Sequence, residues 1–389
     1  MPRLSRFDCH SGIEGQACAS KVFPLADLIR EPVFRQGKCL DPRDEGNSEL
    51  SSQRARVYVF RGFRMFFLVP NFFRTGLAAF ILLSLGILSV PARESYFVVD
   101  ANSGRILLAD GFNEKRPVAS LTKVAAAIVA LDWARVTGTE LGVEMVVPPS
   151  VASLGGSNPM GLFPGDRISL RNALYSALMG SDNSAAQTIA HHVGFSVQQV
   201  RGGRGDPVKV FVAEMNTLAK ELGMRRTRFS NPHGLYVKRS KGHSTAADMA
   251  RLCIYAMRNP GFAFFVKQKS RALSFRHGEI TKAFRVQNTN RLLGQMQVNG
   301  IKTGMTTAAG QCLATSSELQ PLVEMLPDGA TRLTPRRLIC IVLGSQDRFR
   351  RSEALMAEGW KLYNQWVEAG AVMNSERERL VVPVPGNSR

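Results

Sequence analysis

Three short groups of residues in this 389-residue chain could do chemistry together. The first is Ser120-Leu121-Thr122-Lys123. A serine hydroxyl is a poor nucleophile until a base takes its proton. A lysine removed from water loses its preference for the charged form and can be that base. Residues three apart on a helix share a face, so Ser120 and Lys123 can meet. The run Val124 to Val136 that follows is rich in Ala, Val, Leu and Ile and has no Gly or Pro. It predicts a buried helix with Ser120 in its first turn. A helix start also leaves N–H groups unpaired, which suits a developing oxyanion. The second group is Ser181-Asp182-Asn183, 61 residues after Ser120, and the third is Lys302-Thr303-Gly304, 182 residues after it. Each tetrapeptide or tripeptide occurs often by chance. Their order carries the signal: one at a helix start, one in a loop between helices, one on a strand.

The elements that must position them follow from pattern. Tyr96 to Asp100 alternates apolar residues, Asn102-Ser103-Gly104 is a turn, and Arg105 to Ala109 resumes a strand, which makes a β-hairpin. A short strand is expected over Val143 to Val147. Helices are expected over Leu170–Leu178, Ala185–Val193 and Val208–Leu222, the last stopped by Gly223. Asn231-Pro232-His233-Gly234 is a turn, and Ser244 or Thr245 with Asp248 caps a helix through Met257. Strands are expected at 298–305, 311–317 and 337–344, then an amphipathic helix from Ser352 to Val367. A lone hairpin is too small to be stable, so it should pair with the late strands. The expected fold class is α+β: an antiparallel sheet from the N-terminal hairpin and late strands, with a large helical insertion. A cleft then forms where helices and sheet meet.

Composition narrows the class. The chain is 44% hydrophobic with a net charge of +19. Residues 1–92 hold 12 Lys/Arg and 8 Asp/Glu, so +4 belongs there and +15 to residues 93–389. The charges are scattered and few aromatics lie near them, so no nucleic-acid partner is expected. Cys9, Cys18 and Cys39 precede the apolar segment, and Cys253, Cys312 and Cys340 follow it. There is no C-x-x-C, and the histidines lack metal-ligand spacing, so neither a metal nor a cofactor is expected. The later three cysteines are expected to be buried thiols.

Residues 1–64 are polar and carry no fold assignment. Residues 65–92 read as a secretory signal: a short segment from Met65 to Arg74, then Thr75 to Val90 without a charge, then small residues up to Ala92. Sixteen residues is short for a spanning helix, which needs about 20. Translation is expected to begin at Met65. An uncleaved segment would instead associate the protein with the membrane, with Arg54, Arg56, Arg61 and Arg64 on the cytoplasmic side. Either way residues 93–368, one catalytic domain, and the tail 369–389 are expected outside the cytoplasm, in the periplasm or envelope. Val381 to Val384 is too short and Pro-broken for a C-terminal anchor.

The set S-x-x-K, S-D-N and K-T-G occurs in penicillin-binding proteins and class A β-lactamases. The neighbourhood is more specific. Tyr96 to Asp100, Arg116-Pro117-Val118-Ala119 before Ser120, Gly156-Ser157 with Met160, Asn231 to Leu235, Ser244 to Met249, Asn290 to Leu293, Gly300-Ile301 before Lys302 and Ala309-Gly310 resemble the D-alanyl-D-alanine carboxypeptidase family of low-molecular-mass penicillin-binding proteins. The resemblance covers about residues 95–365. It implies a β-lactamase/transpeptidase-like fold and a serine peptidase of peptidoglycan stem peptides. Ser120 would form the acyl-enzyme and a neutral Lys123 would take its proton. Ser181, in contact with Lys302, would relay a proton to the leaving amine. Asn183 would bind the peptide, a charged Lys302 and Thr303 the terminal carboxylate, and Gly304 would let the substrate lie along the strand. The N–H groups of Ser120 and Met305 would form the oxyanion hole. β-Lactams would acylate Ser120. The alternatives are a D,D-endopeptidase cutting cross-links, a β-lactamase, and a catalytically silent wall-binding protein. Asp182 reads as a cap and Glu214 as a surface helix residue rather than as acids in the reaction.

Overall fold

The computed structural model describes residues 94–235 and 242–385. The segments assigned above to an extension and a signal, residues 1–92, lie outside the described residues. The first hairpin is β1 (Ser95–Asp100) and β2 (Ile106–Asp110). Strands β7 (Val298–Thr306), β8 (Gly310–Met325) and β9 (Thr331–Ser345) complete a five-stranded antiparallel sheet in the order β2-β1-β9-β8-β7. The N-terminal hairpin thus docks on the last strand, Phe97 facing Ile341. This is the expected closure of a hairpin that cannot bury its own faces.

Both faces of that sheet are covered, and the period of two sorts its side chains. Phe97, Val99, Ile339, Ile341 and Leu343 face the main core. Val98, Leu338, Cys340 and Val342 face the other way. There they meet Leu355, Met356, Trp360 and Tyr363 of the closing helix α7 (Arg348–Glu368). Trp360 Nε1 donates to Ser317 Oγ at 3.0 Å, and its ring meets Tyr363 edge-on at 5.4 Å.

The inner face carries the helical block, made of α1 (Thr122–Thr137), α2 (Leu170–Met179), α3 (Asn183–Val200), α4 (Pro207–Glu221), α5 (Ala246–Met257) and α6 (Pro260–Val266). Helix α1 is buried continuously from Thr122 to Ala134. An apolar sequence all round a helix demands that position. Caps fix the other starts: Ser169 on α2, Asp182 on α3, Asp206 on α4 and Thr245 on α5 each accept an N–H of the first turn. Cys253, Cys312 and Cys340 are free, buried thiols.

Two features depart from the sequence reading. A second sheet, in the order β3-β4-β5-β6, joins β3 (Glu144–Val146), β4 (Arg167–Ser169), β5 (Ser270–His277) and β6 (Ile280–Gln287). Only β3 was expected. Of β5 and β6 just Leu273, Phe275 and Val286 are buried, so their alternation is faint. Strands β8 and β9 also run beyond the expected limits, as a hairpin that outreaches its neighbours and turns through Pro327-Asp328-Gly329. The last residues return to the body. Leu380 is buried, and its N–H donates to Gly104 O at 2.8 Å.

The α7 contact makes a direct prediction. Trp360→Ala should destabilise the protein by about 3–5 kcal/mol through the lost transfer energy and cavity. Trp360→Phe, which keeps the ring but not the hydrogen bond, should cost about 1 kcal/mol. Denaturant unfolding of the two variants measures both.

Candidate active site

Ser120 lies on a short 3-10 turn, Ala119–Leu121, that leads into α1. This shifts it just ahead of the helix in which it was expected. Leu121 N donates to Val118 O at 3.1 Å to close the turn. Ala119 is held at φ 47°, a left-handed conformation that an L-residue adopts only under constraint. The constraint is visible from both sides. On one side is Gly234, at φ 83°; a β-carbon there would come within 1.9 Å of Ala119 O. On the other is Gly304 of β7, where a β-carbon would come within 3.1 Å of Ser120 N. Only glycine lets the turn and the strand close on the serine from two directions.

Lys123, at the second position of α1, is 1% exposed. Its Nζ is 3.0 Å from Ser120 Oγ, 2.7 Å from Asn183 Oδ1 and 2.8 Å from His233 O. Three acceptors match an ammonium's three protons. A neutral amine has two N–H bonds and one lone pair. Asn183 and His233 can take the two N–H bonds, which leaves the lone pair for the Ser120 hydroxyl. Burial pushes the Lys123 pKa down to about 7, against the opposing pull of the Asp182 carboxylate. His233 is pushed down to about 3 by burial and by Lys123, so its ring is neutral, and its Nδ1 accepts from Leu235 N at 3.2 Å.

The Ser181 group enters from the loop between α2 and α3. Asp182 is buried, caps α3 by accepting from Ala185 N at 3.0 Å, and accepts from Ser176 Oγ at 2.8 Å. Burial raises its pKa. It is the cap that the sequence reading expected. Asn183 is held at both ends: Oδ1 accepts from Lys123, and Nδ2 donates to Gly155 O at 3.1 Å. Ser181 sits at φ 62° and faces the cleft.

The third group lies on β7, the edge strand of the main sheet. Two expectations concern Lys302. Lys302 Nζ donates to Thr303 O at 3.0 Å, and among the described residues it makes no hydrogen bond to Ser181. Lys302 was also expected to be charged. It is 1% exposed and lies near Lys123 and Arg348, so burial and then like-charge repulsion hold its pKa well below the ordinary lysine value. Thr303 Oγ1 is 2.6 Å from Thr289 Oγ1, and Gly304 O accepts from Arg348 at 2.9 Å.

Ser120, Ser181, Asn183, Thr303, Gly304 and Met305 line one cleft of about 600 Å³. Lys123 and Lys302 stand behind its wall. Met305 is 66% exposed at the rim. The sequence reading missed Thr289, Leu235 and Arg348 as lining residues. Leu235 stood in a quoted stretch without a role. Arg348 has no local signal, since it reaches the cleft only because α7 begins beside β7. Glu214 is away from the cleft, paired with Arg201 at 2.8 Å on α4.

Comparison with known proteins fits this geometry. Residues 89–322 match the family model of the D-alanyl-D-alanine carboxypeptidases, peptidase family S11. A D-alanyl-D-alanine endopeptidase of Pseudomonas aeruginosa is 33% identical over 228 residues, 57% of this chain and 66% of the relative. The D-alanyl-D-alanine carboxypeptidase DacC of Escherichia coli is 29% identical over 285 residues, 71% of this chain and 62% of the relative. This chain therefore spans just under two thirds of the length of either. The ampicillin-bound penicillin-binding protein D2 of Listeria monocytogenes shares the fold, with a TM-score of 0.54 at 24% identity over 68% of this chain and 96% of that one. All three motif groups fall inside the matched span, and the chain belongs to the D-alanyl-D-alanine carboxypeptidase family, S11.

Proposed function

We propose that this protein is a serine D,D-peptidase of the bacterial envelope that removes the terminal D-alanine from peptidoglycan stem peptides through an acyl-enzyme. One observation carries the reading. A fully buried lysine with a pKa near neutrality stands 3.0 Å from a serine hydroxyl, with its two other partners fixed. That is the arrangement an activated nucleophile requires.

The stem peptide lies along the free edge of β7 as an added strand. Its terminal carboxylate sits at Thr303 with Arg348 beside it. An anion there also favours the charged form of Lys302, whose pKa burial lowers. Ser120 Oγ attacks the carbonyl between the two D-alanines as Lys123 Nζ accepts the hydroxyl proton. The N–H groups of Ser120 and Met305 hold the oxyanion; losing one such donor typically costs about 10²–10³ in rate. Ser181, lining the same cleft, gives its hydroxyl proton to the departing amine and takes one in turn from the Lys123 ammonium. The leaving D-alanine then makes room for water, which attacks the ester and frees Ser120. Asn183 acts chiefly on Lys123, orienting its amine, because both ends of its amide are engaged.

A second reading, a D,D-endopeptidase, draws on the name of the Pseudomonas relative. A cross-link also presents a carboxylate next to the departing amine, so the Thr303 and Arg348 end would serve both substrates. Incubation with a pentapeptide and with a cross-linked muropeptide separates the two. Release of D-alanine from the pentapeptide alone supports the carboxypeptidase.

Two outcomes are expected. Wild-type protein should form a lasting adduct with labelled penicillin, and Ser120→Ala should form none and release no D-alanine; an adduct on the variant would overturn the mechanism. The acylation kcat/KM should rise about tenfold per pH unit below neutrality and level off above a pKa near 7, because the neutral form of Lys123 is the base. A pH-independent acylation rate from pH 5 to 8 would rule Lys123 out as that base.

A further inference from the structure

Thr289 stands in the connection between β6 and β7 and lines the cleft. The mechanism above gives it no part. Its hydroxyl lies 2.6 Å from that of Thr303, and either can be the donor. The same hydroxyl is 3.2 Å from Met179 O, at the end of α2 and two residues before Ser181. Thr289 therefore joins the Ser181 loop to the strand of Lys302, Thr303 and Gly304. Its two neighbours in the chain hold it there. Asn288 Nδ2 donates to Val266 O at 3.2 Å and to Gln268 O at 2.9 Å, and Asn290 Nδ2 donates to Gly300 O at 2.9 Å.

Counting protons gives the pair of hydroxyls a direction. Each has one proton and two lone pairs. Without an anion at Thr303, the order that satisfies every group runs from Thr303 to Thr289 to Met179 O. A carboxylate only accepts, so Thr303 must then turn its proton toward the anion. Two hydroxyl oxygens 2.6 Å apart still need a proton between them, and Thr289 holds the one that remains. To supply it, the Thr289 hydroxyl leaves Met179 O. That carbonyl is not orphaned, because Thr289 N also donates to it at 3.0 Å. The backbone bond lets the hydroxyl change partner without the cost of an unsatisfied acceptor.

We propose that Thr289 is a positioning residue for substrate binding: by donating to Thr303 Oγ1 it aims the Thr303 proton at the terminal carboxylate. The inference rests on the D,D-peptidase reading and adds a residue to its carboxylate end. Thr289 donates, Thr303 donates onward, and each bond polarises the next.

The test uses a labelled penicillin, whose carboxylate stands in for that of the peptide. The concentration dependence of adduct formation separates binding from the acylation rate at saturation. Thr289→Val keeps the shape of the side chain and the N–H to Met179 O but removes the hydroxyl. It should weaken binding roughly fivefold, the worth of a neutral hydrogen bond, and leave the saturated rate within about twofold of wild type. Thr289→Ser should restore the binding. On a Thr303→Val background, Thr289→Val should cost nothing further, since it acts through Thr303. Unchanged binding in Thr289→Val overturns the proposal. The same fold loss on both backgrounds does so too, as does a loss confined to the saturated rate, because each separates Thr289 from the carboxylate contact of Thr303. Should Thr289→Val fail to unfold cooperatively, Thr289→Ala takes its place in the same comparison. Failure of the parent reading looks different: wild-type protein forms no penicillin adduct at all.

Discussion

A lysine amine held out of water against a serine hydroxyl is the constraint that the rest of the structure serves. Lys123 could lower its energy by turning to solvent, and four separate segments prevent it. Helix α1 is apolar on every side and buries the base of the side chain. The turn at His233 supplies a carbonyl, and the start of α3 supplies the Asn183 amide. The 3-10 turn then holds Ser120 at the remaining position. Burying a charge is costly and burying a neutral amine much less so, so the enclosure itself selects the basic form. Asp182 pulls the other way, toward the ammonium, yet its own pKa is raised by burial and its oxygens are occupied by Ser176 and Ala185. On Lys123 itself desolvation outweighs the pull of Asp182.

The second lysine obeys the same physics to a different end. Burial holds the Lys302 pKa down first, and Lys123 and Arg348 add like-charge repulsion. Like charges in a low-dielectric setting repel strongly. In the proposed function, a carboxylate at Thr303 would offset that repulsion and favour the charged form of Lys302. The same carboxylate would favour charge on Lys123 as well. In that reading the two lysines divide the work: Lys302, on β7, would face the anion, and Lys123, on α1, would act as the base.

Much of this was legible in the sequence, and the reason differs by element. The Ser120 group, the Ser181 loop and the Lys302 strand were legible because each combines a reactive type with a strong local pattern: an apolar helix, an Asp cap, an alternating strand. The hairpin of β1 and β2 was legible from its turn and its period. The second sheet was not, because β5 and β6 bury one sparse row and leave the other face polar. The lengths of β8 and β9 were hidden where their alternation continues past the core into exposed Val323, Met325 and Leu333. Arg348 and Thr289 were hidden for a third reason. They join the site through tertiary adjacency to β7, and no local period reports that. The burial of Lys302 was not legible, because the sequence shows a lysine on a strand and not the enclosure around it.

The strain in the site follows from where sheet and helices meet. Two non-glycine residues, Ala119 and Ser181, take positive φ, and each sits at a junction between the helical block and the cleft. Gly234 and Gly304 press on the first of them from opposite sides, so no relaxation of Ala119 is possible without moving β7 or the turn at Asn231. Asn231 in turn fixes that turn, accepting from Gly234 N at 2.6 Å and donating to Leu235 O at 2.9 Å. The nucleophile is therefore positioned by closure of the surrounding backbone more than by contacts of its own side chain. In the proposed cycle such a serine would keep its place when its hydroxyl changes partner, from the Lys123 amine to an acyl carbon and back. A cycle that makes and breaks a covalent bond at one oxygen needs that independence, and the glycines on either side provide it.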